Sequence, residues 1–425
     1  WILPAVINDF KKRQKEDLES NPKRVELMRD AFLAFVEWDV MNGQIEELEK
    51  VTKEEVVRVA NHYYGNDYVV GFRIDKQHDL PSIEKPQIDP LQINPDKESD
   101  FMRSVEKMPF DPFTPKFIKQ DEDYKSVQIS DGIHLIHTNN PLNDLFTLEV
   151  RMEIGNDHQP MLSLVKRLLD RAGAGSLTSD ELKIEWYKIA TEFGFGVREH
   201  FCSFSINGLD ENLEKSLELA NQHLLSPKIS DETWNETKAI ILSERDDEQK
   251  DPRALSNALA HYHRYGSKSR YLKRPSDSDL HASTVASLTQ LLLEAFDVTR
   301  TILYYGPRSV DDITKAIRNG FLGKEPIRDA PAFIPDRSLS PDTNQIFFLQ
   351  KEMAQAQVRL EFAAGTYDEN KAPFGQLYNE YFGGGMAGLV FQELREARAL
   401  AYSAWAHFFT PARPQDENIL VGAIG

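Results

Sequence analysis

A run of glycines, an arginine and a tyrosine make up the most chemically suggestive stretch of this chain. Residues 381 to 403 read Tyr-Phe-Gly-Gly-Gly-Met-Ala-Gly-Leu-Val-Phe-Gln-Glu-Leu-Arg-Glu-Ala-Arg-Ala-Leu-Ala-Tyr-Ser. The pattern predicts a glycine turn that opens an amphipathic helix carrying Arg395. Tyr402 lies seven positions on and begins an aromatic stretch, with Trp405, Phe408 and Phe409, that reads as a strand. Gly383, Gly385 and Gly388 also satisfy Gly-x-Gly-x-x-Gly, a phosphate cradle in dinucleotide-binding folds. That chemistry needs a strand before the turn and an acidic residue about 20 positions on to hold the ribose. Pro373 to Tyr381 reads instead as a helix, and no Asp or Glu falls between Glu396 and Asp416. Both observations count against the nucleotide reading, and the residues alone leave an ordinary glycine turn before a packed helix.

Other chemistries find little support. His134 and His137 sit three apart on an expected strand, hence on opposite faces. His261 and His263 sit two apart on an expected helix, about 200° apart around its axis. His200 beside Glu199 reads as a surface pair. The single Cys202 lies in an apolar alternation suited to burial, and no Gly-x-Ser-x-Gly is present. One cysteine rules out an intrachain disulfide and any cysteine-rich metal site.

The bulk properties narrow the class. A length of 425 residues suits two or three domains, and 40% hydrophobic residues are those of a globular protein. A net charge of −18 argues against nucleic acid, which requires a basic face. No apolar run is long enough for a transmembrane segment. The chain opens on Trp and stops in the apolar run 419–425, so it reads as a piece of a larger protein, cut within a strand.

The elements that position the motif follow from periodicity. Residues 10–50 read as helices, and Thr52 with Glu55 forms a capping-box pattern before another. Tyr68 to Phe72 reads as a strand. From 76 to 122 prolines recur among charged residues, which predicts an interdomain linker. Beyond it come a hairpin over 127–138 turning at Asp131-Gly132, then a strand from Phe146 to Ile154. Helices are expected at 160–172 and 178–192, a strand at 201–207, and helices at 211–225, 231–250 and 252–264. A helix at 284–296 and a strand at 301–305 repeat the order of 52–72, which suggests two related halves. A strand over 355–363 opens the last unit.

The 381–403 run closely resembles the Gly-Gly-x-Ser-x-Leu-Phe-x-Glu-Leu-Arg-Glu-x-x-Gly-Leu-Ala-Tyr signature of M16 zinc metallopeptidases, the insulinase and pitrilysin superfamily. The resemblance implies an α+β architecture of repeated M16-type sandwich units, with mixed or antiparallel sheets covered by helices on one side. It divides the chain into the end of the first half's second domain (1–75), a linker (76–122), a third domain without metal (123–280), and a truncated fourth domain (281–425). In that family the arginine and tyrosine of the signature reach across a closed chamber to substrate at the zinc of the other half. Carried over, this implies that Arg395 and Tyr402 bind peptide and stabilise the developing oxyanion. The alternatives are an ion pair of Arg395 with Glu393 or Glu396, and a core-packed Tyr402.

Active M16 domains hold zinc through His-x-x-Glu-His with a more distant Glu as third ligand. The corresponding helix here reads Lys-Arg-Leu-Leu-Asp at 166–170. Lys166 stands for the first histidine, Leu169 for the glutamate and Asp170 for the second histidine, while Glu244 falls near the distal ligand. The resemblance therefore implies no metal in this chain, zinc in a missing N-terminal catalytic half, and that half and peptide substrates as partners. A rival in another class is an inactive pseudo-peptidase that binds or scaffolds. The family suggests a bacterial periplasmic setting, and no targeting segment is visible to decide it.

Overall fold

The computed structural model describes residues 1–75, 84, 98–112, 114–326, 328–339, 343–352 and 355–425. Its strands are β1 (Lys125–Ser130), β2 (Ile133–Asn139), β3 (Leu145–Met152), β4 (Gly173–Ala174), β5 (Glu192–Val197), β6 (Cys202–Leu209), β7 (Pro227–Lys228), β8 (Arg300–Gly306), β9 (Val358–Thr366), β10 (Ala404–Phe409) and β11 (Glu417–Ile424). They form a six-stranded sheet in the order β1-β2-β8-β3-β6-β5, a three-stranded sheet β10-β11-β9, and a short β4-β7 pair. The large sheet is mixed: β2 runs parallel to β8, and its other pairs are antiparallel. The α+β class with mixed and antiparallel sheets is as the sequence predicts.

Alternation along the strands sets the layers. Leu148, Val150 and Met152 of β3 are buried while Thr147 is exposed and Glu149 and Arg151 are half-buried. The apolar face packs on the helices Leu162–Leu169, Leu213–Leu225 and Val285–Phe296 in one continuous core. The hairpin turns as expected, with Gly132 at φ +69°, where a side chain would be strained.

Three expectations change. Tyr68 to Phe72 forms no strand; Val69 and Phe72 are 101% and 85% exposed, and no described strand pairs with the segment. β-propensity alone does not hold a strand without a neighbour to bond. The repeat of 52–72 at 284–305 therefore survives only in its helices. The boundary expected at 280/281 falls inside a unit, because β8 is central in the six-stranded sheet and the Val285–Phe296 helix packs on Leu162–Leu169. Ile302 and Tyr304 are buried there, so the sheet cannot close without this segment. About half of the linker expected at 76–122 lies outside the described residues; the part described carries the exposed helix Asp100–Glu106.

A different internal repeat emerges. The order β5-β6-β3 recurs as β10-β11-β9, in each case a strand, a helical passage through a glycine turn, and then two antiparallel strands. Gly175 and Gly385 in the two turns share φ +56°. At the other end, the helix Ile2–Glu19 docks on the large sheet through Lys12, which is 1% exposed and bonds Glu192 at 2.7 Å. Glu19 also accepts from Asn140 and Asn143.

Candidate functional site

The glycine run does more than turn the chain. The helix Ala372–Tyr378 widens into a π-helical turn, Asn379–Gly383, and a second π-helical turn spans Phe391–Glu396 in place of the plain amphipathic helix expected. A Cβ on Gly383 would lie 1.7 Å from the Ala406 carbonyl oxygen. Only glycine lets this backbone lie against β10. Turns of this wide kind are uncommon and recur at functional sites.

Arg395 projects from the second turn. Its guanidinium carbon lies 4.6 Å from the centroid of the Phe391 ring and 4.6 Å from that of Tyr402, so two aromatic rings lie against it. Glu396 approaches Arg395 Nε at 3.5 Å, while Glu393 instead faces Arg398. The ion-pair alternative is thus present but loose. Tyr402 is 77% exposed and precedes β10 rather than lying in it, so it is not a core residue.

Between the two residues the chain bends at Ala399, whose φ is +49°. The family signature has glycine at this position. The left-handed conformation costs a residue with a Cβ roughly 1–2 kcal/mol, partly offset by the greater freedom glycine gains when unfolded. Ala399→Gly is expected to raise stability by about 1 kcal/mol in denaturant titration. Destabilisation would show that the bend is not held in solution.

Three of the four positions aligned with the metal site are tied up in ion pairs, and the fourth is apolar. Lys166 Nζ bonds Asp170 Oδ2 at 2.7 Å, and Arg167 donates to Glu244. Leu169 is buried in the core. Arg167, Asp170, Arg171, Lys183, Thr237 and Glu244 line a cavity of ≈ 470 Å³. Zinc wants several neutral or anionic lone pairs converging at about 2 Å. Here each carboxylate faces a cation, so these residues do not fit the metal. Among the described residues no group of three or more His, Cys, Asp or Glu is placed to hold one.

The histidines divide as the spacing predicts, with one correction. His134 contacts Ser126, whereas His137 bonds the Arg308 carbonyl at 2.8 Å and stacks on Tyr304. His261 faces Ser269 while His263 faces Glu361. His200 does not pair with Glu199 at the surface: it lies 3.6 Å from Asp157, packs on the Phe333 ring, and its side chain is mostly buried. Burial pushes the Cys202 thiol up to about 12, which makes it a poor nucleophile. The helix before the glycine run removes the strand that dinucleotide binding requires.

Residues 301–421 match a family model described as the peptidase M16 inactive domain. Over those residues the chain is similar to the M16 inactive domain. Its fold is similar to that of a peptidase M16 inactive domain from Pseudomonas fluorescens, at 18% identity and TM-score 0.57 over 71% of this chain and 74% of that one. The ferredoxin protease FusC, solved as a point mutant in complex with Arabidopsis ferredoxin, aligns at 12% identity and TM-score 0.60. The periplasmic protease PqqL from Escherichia coli aligns at 12% and 0.55. These two alignments cover 95% of this chain and only 46% and 45% of the proteases. At such identities the structures speak for the fold alone. A search of curated proteins returned no match.

Proposed function

We propose that this chain is most of the metal-free half of a two-half M16 zinc endopeptidase. In this reading it forms one wall of the peptide chamber and supplies Arg395 and Tyr402 to substrate held by the other half. The observation that carries the reading is the Arg395 guanidinium held by two rings beside an exposed Tyr402 hydroxyl. An arginine fork gives bidentate hydrogen bonds to a carbonyl or carboxylate, and a phenol donates to an oxyanion as it develops. The ion pairs at the degenerate metal positions support a division of labour in which this half binds and the other half hydrolyses. Coverage of a little under half of each of the two aligned proteases also suits a half-molecule.

The purified chain is expected to hold no stoichiometric zinc and to cleave no peptide by itself. Cleavage is expected when it is joined to a half bearing His-x-x-Glu-His. Metal analysis finding one tightly held zinc per chain would overturn the assignment. A joined protein that binds peptides without cleaving them would favour the pseudo-peptidase scaffold.

A further inference from the structure

Resting on that reading, we infer that Phe391 is a positioning residue for Arg395. Phe391 sits one wide turn before Arg395 and is only half-buried, beside the core-facing Val390. It lies outside the main hydrophobic core and stacks on no other aromatic ring among the described residues. Its ring is given to the guanidinium at 4.6 Å, and Tyr402 lies at the same distance. Gln392 secures the turn by donating to the Met386 carbonyl.

The physics of a guanidinium explains what such a clamp does. Its faces are weakly hydrated and bind aromatic rings, whereas all five N–H donors point outward in its plane. Two rings lying against the guanidinium restrict that plane, and with Nε loosely facing Glu396 at 3.5 Å the terminal NH2 groups remain as the hydrogen-bonding edge. Side-chain ordering that would otherwise be lost on binding is already paid in the free protein. Tyr402 would then have two roles, one through its ring and one through its hydroxyl, while Phe391 acts through its ring alone.

The test uses the enzyme assembled from this chain and its zinc-binding half. Phe391→Leu is expected to raise KM for peptide roughly two- to fivefold with kcat nearly unchanged, the scale of one exposed cation–π contact. Phe391→Tyr keeps a ring face and is expected to stay near wild type. In an Arg395→Ala background Phe391→Leu should add nothing, because its effect passes through the guanidinium. On this chain alone, NMR should find the Arg395 Nε–H proton shifted by the rings and moved back by Phe391→Leu. An unchanged KM and Nε–H shift in Phe391→Leu, or full additivity with Arg395→Ala, would overturn the inference. If Arg395→Ala itself leaves KM unchanged, the functional reading falls and takes the inference with it. If Arg395→Ala raises KM while Phe391→Leu does not, the inference alone falls.

Discussion

Tyr402→Phe in the assembled enzyme is expected to lower kcat by about 100- to 1,000-fold, the loss of one oxyanion donor worth roughly 3–4 kcal/mol. The substitution deletes a single hydroxyl and leaves the ring that lies 4.6 Å from the Arg395 guanidinium. Because Tyr402 is 77% exposed, no buried partner is left unsatisfied and the melting temperature should not move. The effect should lie in kcat, since the negative charge on the scissile oxygen exists only in the transition state. Arg395→Ala should differ by raising KM as well, because guanidinium bonds form with substrate already bound. Near-normal turnover in a well-folded Tyr402→Phe enzyme would move both residues to a structural role and favour scaffolding.

Much of this site is legible in the sequence because the motif packs its information locally. The glycines, Arg395 and Tyr402 fall within one short segment, and its resemblance to the M16 signature singles out the arginine and the tyrosine. The rings against the guanidinium are not legible. They depend on a π-helical turn and on the left-handed Ala399, and neither has a periodic signature. The same contrast runs through the fold. The β1–β2 hairpin and the long helices are local, and their turn residues and caps announce them. β5 escapes a sequence reading because Gly194 and Gly196 interrupt its apolar residues; it becomes a strand by pairing with β6 from Glu192↔Asn207 to Val197↔Cys202. β8 reads correctly as a strand but in the wrong unit. Its partners β2 and β3 are remote in sequence, and an apolar alternation does not name the sheet that receives it. Tyr68 to Phe72 has the composition of a strand and lacks a described neighbour.

Glu361 shows how such a long-range contact can hold two units together. It lies on β9 with its side chain 4% exposed, and Arg264 of the helix Pro252–Tyr265 grips it through two bonds of 2.9 and 2.8 Å. Arg359 bonds the same carboxylate at 2.5 Å, and His263 lies 3.4 Å away. One carboxylate thus bridges two guanidiniums where the second sheet meets a helix that follows the first. Truncating one member of a buried pair is far costlier than never having the pair, because the remaining charge stays desolvated. Glu361→Ala is expected to cost about 3 kcal/mol, the low end of the range for buried pairs, since both arginines keep some contact with water. Glu361→Gln keeps an acceptor and should lose less. The Glu361→Leu and Arg264→Met double variant should recover part of the loss, because an apolar pair removes one of the two stranded cations. The loss should concentrate in the unit containing β9 to β11, which would melt ahead of the six-stranded sheet in calorimetry. A Glu361→Ala protein within about 0.5 kcal/mol of wild type, the ordinary range for surface changes, would show that the two units are not joined here.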